Sequence, residues 1–435
     1  MRNPFDPRRR ALLRHALHGG MLGRAMPAIL GQALLATHAR ASASDRILIL
    51  LQLAGGNDGL NTVVPYTDDH YHRARPKLGL RGKDTLHLND EVGLHPALTG
   101  LRDLYEEGQL SIVQGVGYEN PNRSHFKATE IWQTASDSKR IRKEGWLGRY
   151  LDLNCQECEV TAAVTIGQQV PQALFGKYPW GLCLDQDLDG EDASSMDGMM
   201  TEGGAESAEG GDNAGDSIGG LAGVGASALS PLDFITKTAH DAEMGGDQVE
   251  AALKRARLTG HYPPGPLGAS MRKLAGLIGG GFPARIYHVS QGGYDTHINQ
   301  RPAHARLLSM LDSSLRALMQ DLKTQGNLNR VLLVTYSEFG RRLQENASGG
   351  TDHGATAPLF LMGGKVRGGL AGKPPSLAPA DLLLGDPIFT TDYRSVYASV
   401  LEQWLEVPSV PVLGRKFTEV KVAVCGKRPS RFVAA

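Results

Sequence analysis

Four cysteines in 435 residues are too few to staple a chain of this size. Cys155 and Cys158 form a C-x-x-C pair, while Cys183 and Cys425 stand alone. A structural zinc site of the thiolate kind needs further ligands at close spacing, and the sequence offers none there. The pair stays open to three readings: a local disulfide, a redox couple, or two independent thiols. Net charge is also missing, with 46 basic and 46 acidic side chains cancelling to zero. That argues against a nucleic-acid binder, which usually advertises a basic surface. No run reaches the about 18 uninterrupted apolar residues of a membrane-crossing helix, so no stable membrane span is expected. What remains is ordinary globular material, 41% hydrophobic and 21% charged. Its length suits one large domain grown by insertions.

The start of the chain carries an address. Arg8-Arg9-Arg10 precede Ala11-Leu12-Leu13, a weakly apolar stretch broken by Arg24 and Pro27 follows, and Ala39, Ala41 and Ala43 then offer small residues at cleavage-site spacing. This is the layout of a signal peptide over residues 1–43, and the paired arginines give it the twin-arginine form. The other reading is a basic amphipathic helix that stays attached. An export signal implies passage through the twin-arginine machinery and a periplasmic or extracellular location. It also favours the disulfide for Cys155 and Cys158.

From residue 44 onward, short apolar runs alternate with helical patterns. The runs at 46–53 (RILILLQL), 110–116 (LSIVQGV), 160–166, 285–290 (RIYHVS), 330–336 (RVLLVTY) and 358–362 (PLFLM) read as strands. Leu98, Leu101, Leu104 and Tyr105 fall at helical spacing before Gly108, and residues 122–134 read as a second helix. Leu307, Leu311, Leu315, Leu318 and Leu322 form a long apolar stripe that Gly326 can close, and Asp392 can cap a last helix burying Val396, Val400 and Trp404. Such alternation predicts an α/β fold, a doubly wound, mainly parallel sheet with helices on both faces. One stretch differs. Residues 185–230 are rich in Asp, Glu, Gly and Ser, with no Lys or Arg between Asp185 and Asp216. It reads as a flexible acidic insertion within the single domain 44–435. Asp185, Asp187, Asp189 and Gly190 begin a calcium-loop pattern, but Met196 stands where that pattern needs Glu.

Ligands of open α/β sheets gather at the carboxyl ends of the strands, and the polar, glycine-rich segments lie directly after the strands. Gly55-Gly56-Asn57-Asp58 follows the first, where Asp58 can ligate a metal or merely stabilise a turn. Asn122-Arg123-Ser124-His125 opens a helix, whose backbone donors favour an anion. Ser124 there can attack a phosphate or sulfate ester with Arg123 holding its oxygens, or can simply cap the helix. In Gly293-Tyr294-Asp295-Thr296-His297, extended backbone points Asp295 and His297 the same way, which suits a metal pair. The competing reading is a helix-capping Asp and a surface His. Glu338 follows the strand RVLLVTY, and Asp352-His353 comes shortly after; that last pair can bind one ion each, or one can ligate while the other orients it. Converged, these groups could hold two ions about 4 Å apart, flanking both oxygens of an in-line displacement.

GGNDGLNT, NRSHF with IWQT, GGYDTH, YSEFGRR and TDHG, in this order after the leader, together resemble the bacterial domain-of-unknown-function family 1501. That family is similar to the sulfatase and alkaline-phosphatase superfamily, and the resemblance spans nearly the whole chain outside the acidic insertion. It implies an alkaline-phosphatase-like fold and one or two divalent ions (Zn, Ca, Mg or Mn) held by Asp58, Asp295, His297, Glu338, Asp352 and His353. Ser124 falls near the nucleophile position. The sulfatase signature C-x-P-S-R is absent, so no formylglycine nucleophile is available. The expected function is an exported, metal-dependent hydrolase acting on a phosphate or sulfate ester of a small molecule or polysaccharide. The alternative is a non-catalytic envelope or polysaccharide-binding protein on the same fold.

Overall fold

A computed structural model of the chain describes residues 45–155, 160–177, 180–185 and 245–420. The leader at 1–43, the insertion beyond Asp185, Cys158 and Cys425 lie outside the described residues. Strand β1 is Ile47–Leu53, and all seven of its residues are buried. Further strands are β2 (Leu110–Gly117), β3 (Ala163–Ile166), β4 (Leu182–Leu184), β5 (Ile286–Gln291), β6 (Val331–Tyr336), β7 (Arg341–Glu345), β8 (Thr351–His353), β9 (Ala357–Met362), β10 (Gly369–Ala371) and β11 (Thr391–Asp392). The main sheet runs β10-β2-β9-β6-β1-β5-β3-β4, with β11 also paired to β2. Its ladders are parallel except where β9 lies antiparallel between β6 and β2. The expected mainly parallel α/β sheet is therefore present. β7 and β8 form a separate antiparallel hairpin beyond the carboxyl end of β6.

Why β1 sits at the centre follows from its side chains. Successive strand residues point to opposite faces. Ile47, Ile49, Leu51 and Leu53 join one core, while Leu48 and Leu50 join the other. Val331 and Leu333 against Leu332 and Val334 divide β6 the same way. A continuously apolar run is what a strand needs when both faces are covered. The first core is closed by helices α1 (Thr99–Glu106), α4 (Pro266–Gly279) and α5 (Gln300–Thr324). The second is closed by α2 (His125–Thr134), α3 (Trp146–Asn154) and α6 (Tyr393–Ser399), which continues as a π-helical turn through Trp404.

The expected elements recur with small differences at their ends. The strand predicted over 160–166 begins only at Ala163, because Val160–Ala162 makes a 3₁₀ turn first. The helix predicted from 122 starts at His125, with Ser124 as its cap residue. Asp392 caps α6 by accepting from the Arg394 backbone N–H at 2.9 Å. No helix among the described residues is long and apolar enough to cross a membrane. Cys155 is disulfide-bonded, and Cys183 is a free, exposed thiol.

Candidate metal centre

The loops after β1, β5 and β6 meet at one edge of the sheet. Gly55 and Gly56 both have positive φ, 115° and 79°. A Cβ on Gly55 would strike the backbone of Tyr294 and Asp295, and one on Gly56 would strike the Phe339 ring. Only glycine fits both the backbone twist and the close approach. Ser337 then laces two loops together: its hydroxyl accepts from the Asn57 N–H at 2.9 Å and donates to the Leu53 carbonyl at 2.6 Å.

Four side chains converge over this junction. One ligand atom each of His125, Asp295 and His353 lie within 4.8 Å of one another. The Nε2 atoms of His297 and His353 both lie 3.0 Å from Asp295 Oδ1, and Nε2 of His125 lies 3.4 Å from Oδ2. The Nε2 atoms of His297 and His353 are 2.9 Å apart. The far nitrogen of each ring is held by an acceptor: Glu338 Oε1 for His125 at 2.9 Å, Asp352 Oδ1 for His297 at 3.2 Å, and the Arg123 carbonyl for His353 at 2.8 Å. Those partners put the proton of a neutral ring on Nδ1 and leave the Nε2 lone pair facing inward. Three lone pairs and a carboxylate then face one another, with the Arg341 guanidinium against Asp295 and 3.5 Å from His297 Nε2, and together they form a donor set suited to a cation. Imidazoles oriented by carboxylates or carbonyls through their outer nitrogen are the usual support of a metal site.

Glu338 is almost fully buried, and its Oε2 has no hydrogen-bond partner. An unpaired buried carboxylate oxygen is costly, and this one belongs to the residue that holds the outer nitrogen of His125. Three imidazole nitrogens and a carboxylate suit zinc or a similar transition ion. Calcium and magnesium prefer sites built of oxygen.

Arg341 holds the site together. Its buried guanidinium donates to the Gly55, Gly56, Tyr294 and Thr351 carbonyls and to Asp295 Oδ1, at 2.5 to 2.9 Å. One side chain thus ties the loops after β1 and β5 to strand β8. Partial burial works to raise the Asp295 pKa, but the His353 imidazole against it and the hydrogen bond and charge of Arg341 hold it down at about 2. The group is therefore a carboxylate at any neutral pH.

The sequence-derived candidates distribute as follows. Asp295, His297, Asp352, His353 and Glu338 are gathered here, Asp295, His297 and His353 facing inward and Asp352 and Glu338 each holding a ring. Ser124 stands exposed at the start of α2, next to His125, and its side chain makes no capping hydrogen bond. Arg123 is ion-paired with Asp386, which also accepts from Arg342 at 3.1 Å. Asp58 has different company. It is fully buried, its Oδ2 pairs with Arg75 at 2.6 Å and accepts from Gln300, and no hydrogen bond or ion pair joins it to His125, His297 or His353. Burial alone would raise its pKa, but the charge and hydrogen bond of Arg75, with His304 and the Gln300 amide, together outweigh that and the pKa is lowered. Sequence reasoning passed over His125 and Arg341. Both lie inside the motifs NRSHF and YSEFGRR, where the helix-start Ser and the strand-end Glu are the more obvious chemical groups.

Residues 229–388 match the model of a family described as protein of unknown function (DUF1501). The matched stretch holds Asp295, His297, Glu338, Asp352 and His353. No curated protein matches the sequence. Among solved structures, the chain is similar to the lipoteichoic acid synthase LtaP from Listeria monocytogenes, at 10% identity and a TM-score of 0.34, covering 81% of this chain and 76% of that one. It is similar to the PsFucS1 sulfatase from Pseudoalteromonas sp. at 10% identity and 0.33, covering 81% and 70%. It is also similar to the C-terminal periplasmic domain of EcEptC from Escherichia coli, in complex with Zn, at 10% identity and 0.33, covering 73% and 72%.

Proposed function

We propose that the protein is an exported, metal-dependent hydrolase of phosphate or sulfate esters. The observation that carries this reading is the inward-facing set of His125, Asp295, His297 and His353. These four side chains would hold a divalent ion, zinc being the best match to the donors. Glu338 and Asp352 orient two of the rings, and Asp58 is a structural partner of Arg75. When bound, the ion would neutralise charge on the ester oxygens.

The chain supplies the rest. The first N–H groups of α2 have no intrahelical partner and form a natural seat for an anion. The Ser124 hydroxyl stands exposed at that helix start and is the group we assign to attack the ester or to bind it. Arg123 lies one residue away and would steady the anion by sharing its guanidinium with Asp386. The side chains of Asp295 and His297 are about two-fifths exposed, 47% and 37%, so a substrate reaches them from solvent.

The test is metal analysis of protein purified without chelator, followed by assays on aryl phosphates and aryl sulfates. We expect close to one bound transition ion per chain, turnover of at least one ester class, loss of turnover in chelator, and loss in Ser124→Ala with the metal retained. Metal-free protein that turns over no ester after divalent ions are restored would overturn the proposal. Turnover that survives Ser124→Ala would remove the serine from it.

A further inference from the structure

A cavity of about 290 Å³ opens between the 59–68 segment, strand β2, the start of β9 and the proline pair Pro374-Pro375. Its origin is a defect in the β2–β9 ladder. Val113 pairs with Leu359 and Val116 with Ala357, so Gln114 and Gly115 oppose the single residue Pro358. Such a bulge leaves one residue out of register and re-aims its side chain. Pro358 has no N–H to lose there. Gly115 takes φ 60°, and a Cβ on it would strike the Thr390 hydroxyl, so the bulge is built around glycine.

The bulge places Gln114 in the cavity wall. Gln114 and Thr356, which also lines the wall, are each 8% exposed. Neither side chain has a hydrogen-bond partner among the described residues, and their polar atoms stay accessible from the cavity rather than sealed in the interior. Thr67 adds a third uncharged polar group, Leu60, Val63, Val92 and Leu377 are apolar, and Asp68 and Glu91 stand in the wall as the charged groups. No Lys or Arg lines it. A half-open, mainly apolar cleft with a few convergent polar groups is the general form of a small-molecule site. The volume corresponds to about ten water molecules of liquid, hence a group of about ten non-hydrogen atoms.

We infer that this cavity is a binding site for a compact, apolar organic group that bears an amide-like or hydroxyl function and carries no negative charge. Gln114 and Thr356 would satisfy that function, and Asp68 and Glu91 would repel anions and tolerate cations. The inference is independent of the ester chemistry, because it uses none of the residues around Asp295.

Three probes of one shape and different charge test it: benzamide, benzamidinium and benzoate, titrated against the full chain by calorimetry or ligand-observed NMR. We expect the neutral and cationic probes to bind and benzoate to bind at least ten-fold more weakly. Gln114→Leu should weaken benzamide about five-fold, the loss of one hydrogen bond. Leu60→Trp, which fills the cavity, should abolish binding while thermal unfolding shows the fold intact. Chelator and His353→Ala should leave binding unchanged, which separates this result from any failure of the hydrolase reading. Benzoate binding as well as benzamide, no binding of either uncharged or cationic probe, or binding that survives Leu60→Trp would overturn the assignment.

Discussion

The difference between Asp58 and Asp295 shows what one side chain can and cannot announce. Both follow glycines at strand ends, so both look like ligands. Asp295 meets three imidazoles. Asp58 meets Arg75, 17 residues further on, and is neutralised in the interior. Nothing local to Gly-Gly-Asn-Asp predicts that arginine, because the contact depends on how the 59–78 segment folds back. His125 was missed for the opposite reason: a histidine at the first position of a helix usually faces water. Its role needs Glu338, 213 residues away, to hold its ring. Two predictions belong at this scale. Glu338→Gln keeps the shape but weakens the acceptor on His125, and should lower metal affinity about 10–100-fold, measured by competition with a chromogenic chelator. Arg341→Lys replaces a planar fork by a point charge and strands several carbonyl acceptors. It should cost about 3 kcal/mol in urea unfolding and loosen the metal as well. A Lys variant with wild-type stability and metal affinity would show that Arg341 does not tie the loops.

At the scale of elements, the strands were readable because a parallel strand buried on both faces must be apolar throughout. β1 and β6 meet that condition, and their boundaries follow. The direction of β9 was not readable. The chain leaves β6 at its carboxyl end, spends 337–356 on the β7–β8 hairpin at that same edge, and re-enters the sheet from there. Re-entry from the edge it left forces an antiparallel strand, whereas a parallel one needs a crossover to the other edge. The short pieces at 63–64, 86–87 and 93–94 form a small sheet of their own, too brief to show any period. Helix contacts carry further information. Asp321 on α5 is fully buried and accepts from the Thr259 and Gly260 N–H groups at 2.6 and 2.8 Å and from the Tyr262 hydroxyl at 2.7 Å. It anchors the segment that leads into α4. Asp321→Ala strands those donors and should cost about 3 kcal/mol or more, with the loss seen first as faster amide exchange at Thr259 and Gly260. Exchange that speeds up uniformly, with no local onset, would contradict the anchoring role.

For the molecule as a whole, acid should act through histidines buried away from the cluster around Asp295. Burial pushes the pKa of His95, His288 and His304 down from 6.5 to about 4. Between those values the unfolded chain binds protons that the folded chain does not. Stability therefore rises with pH across that window: the contribution is complete above about pH 6.5 and drains away as pH falls toward 4. Asp58 and Asp295, held below the ordinary carboxylate range, lose theirs only at lower pH. Each histidine can contribute at most about 1.4 kcal/mol per pH unit. The experiment is urea unfolding from pH 7.5 to 4.5 with chelator present, so that metal release from the cluster does not add to the slope. Stability should fall steadily below pH 6.5. His288→Gln should flatten the decline by up to one proton's worth, because His288 lies on β5 with the Tyr336 hydroxyl, 3.4 Å away, as its recorded hydrogen-bonding neighbour. A stability that stays level down to pH 5, or a variant with the same slope as the parent, would mean that these rings are not held neutral by the fold.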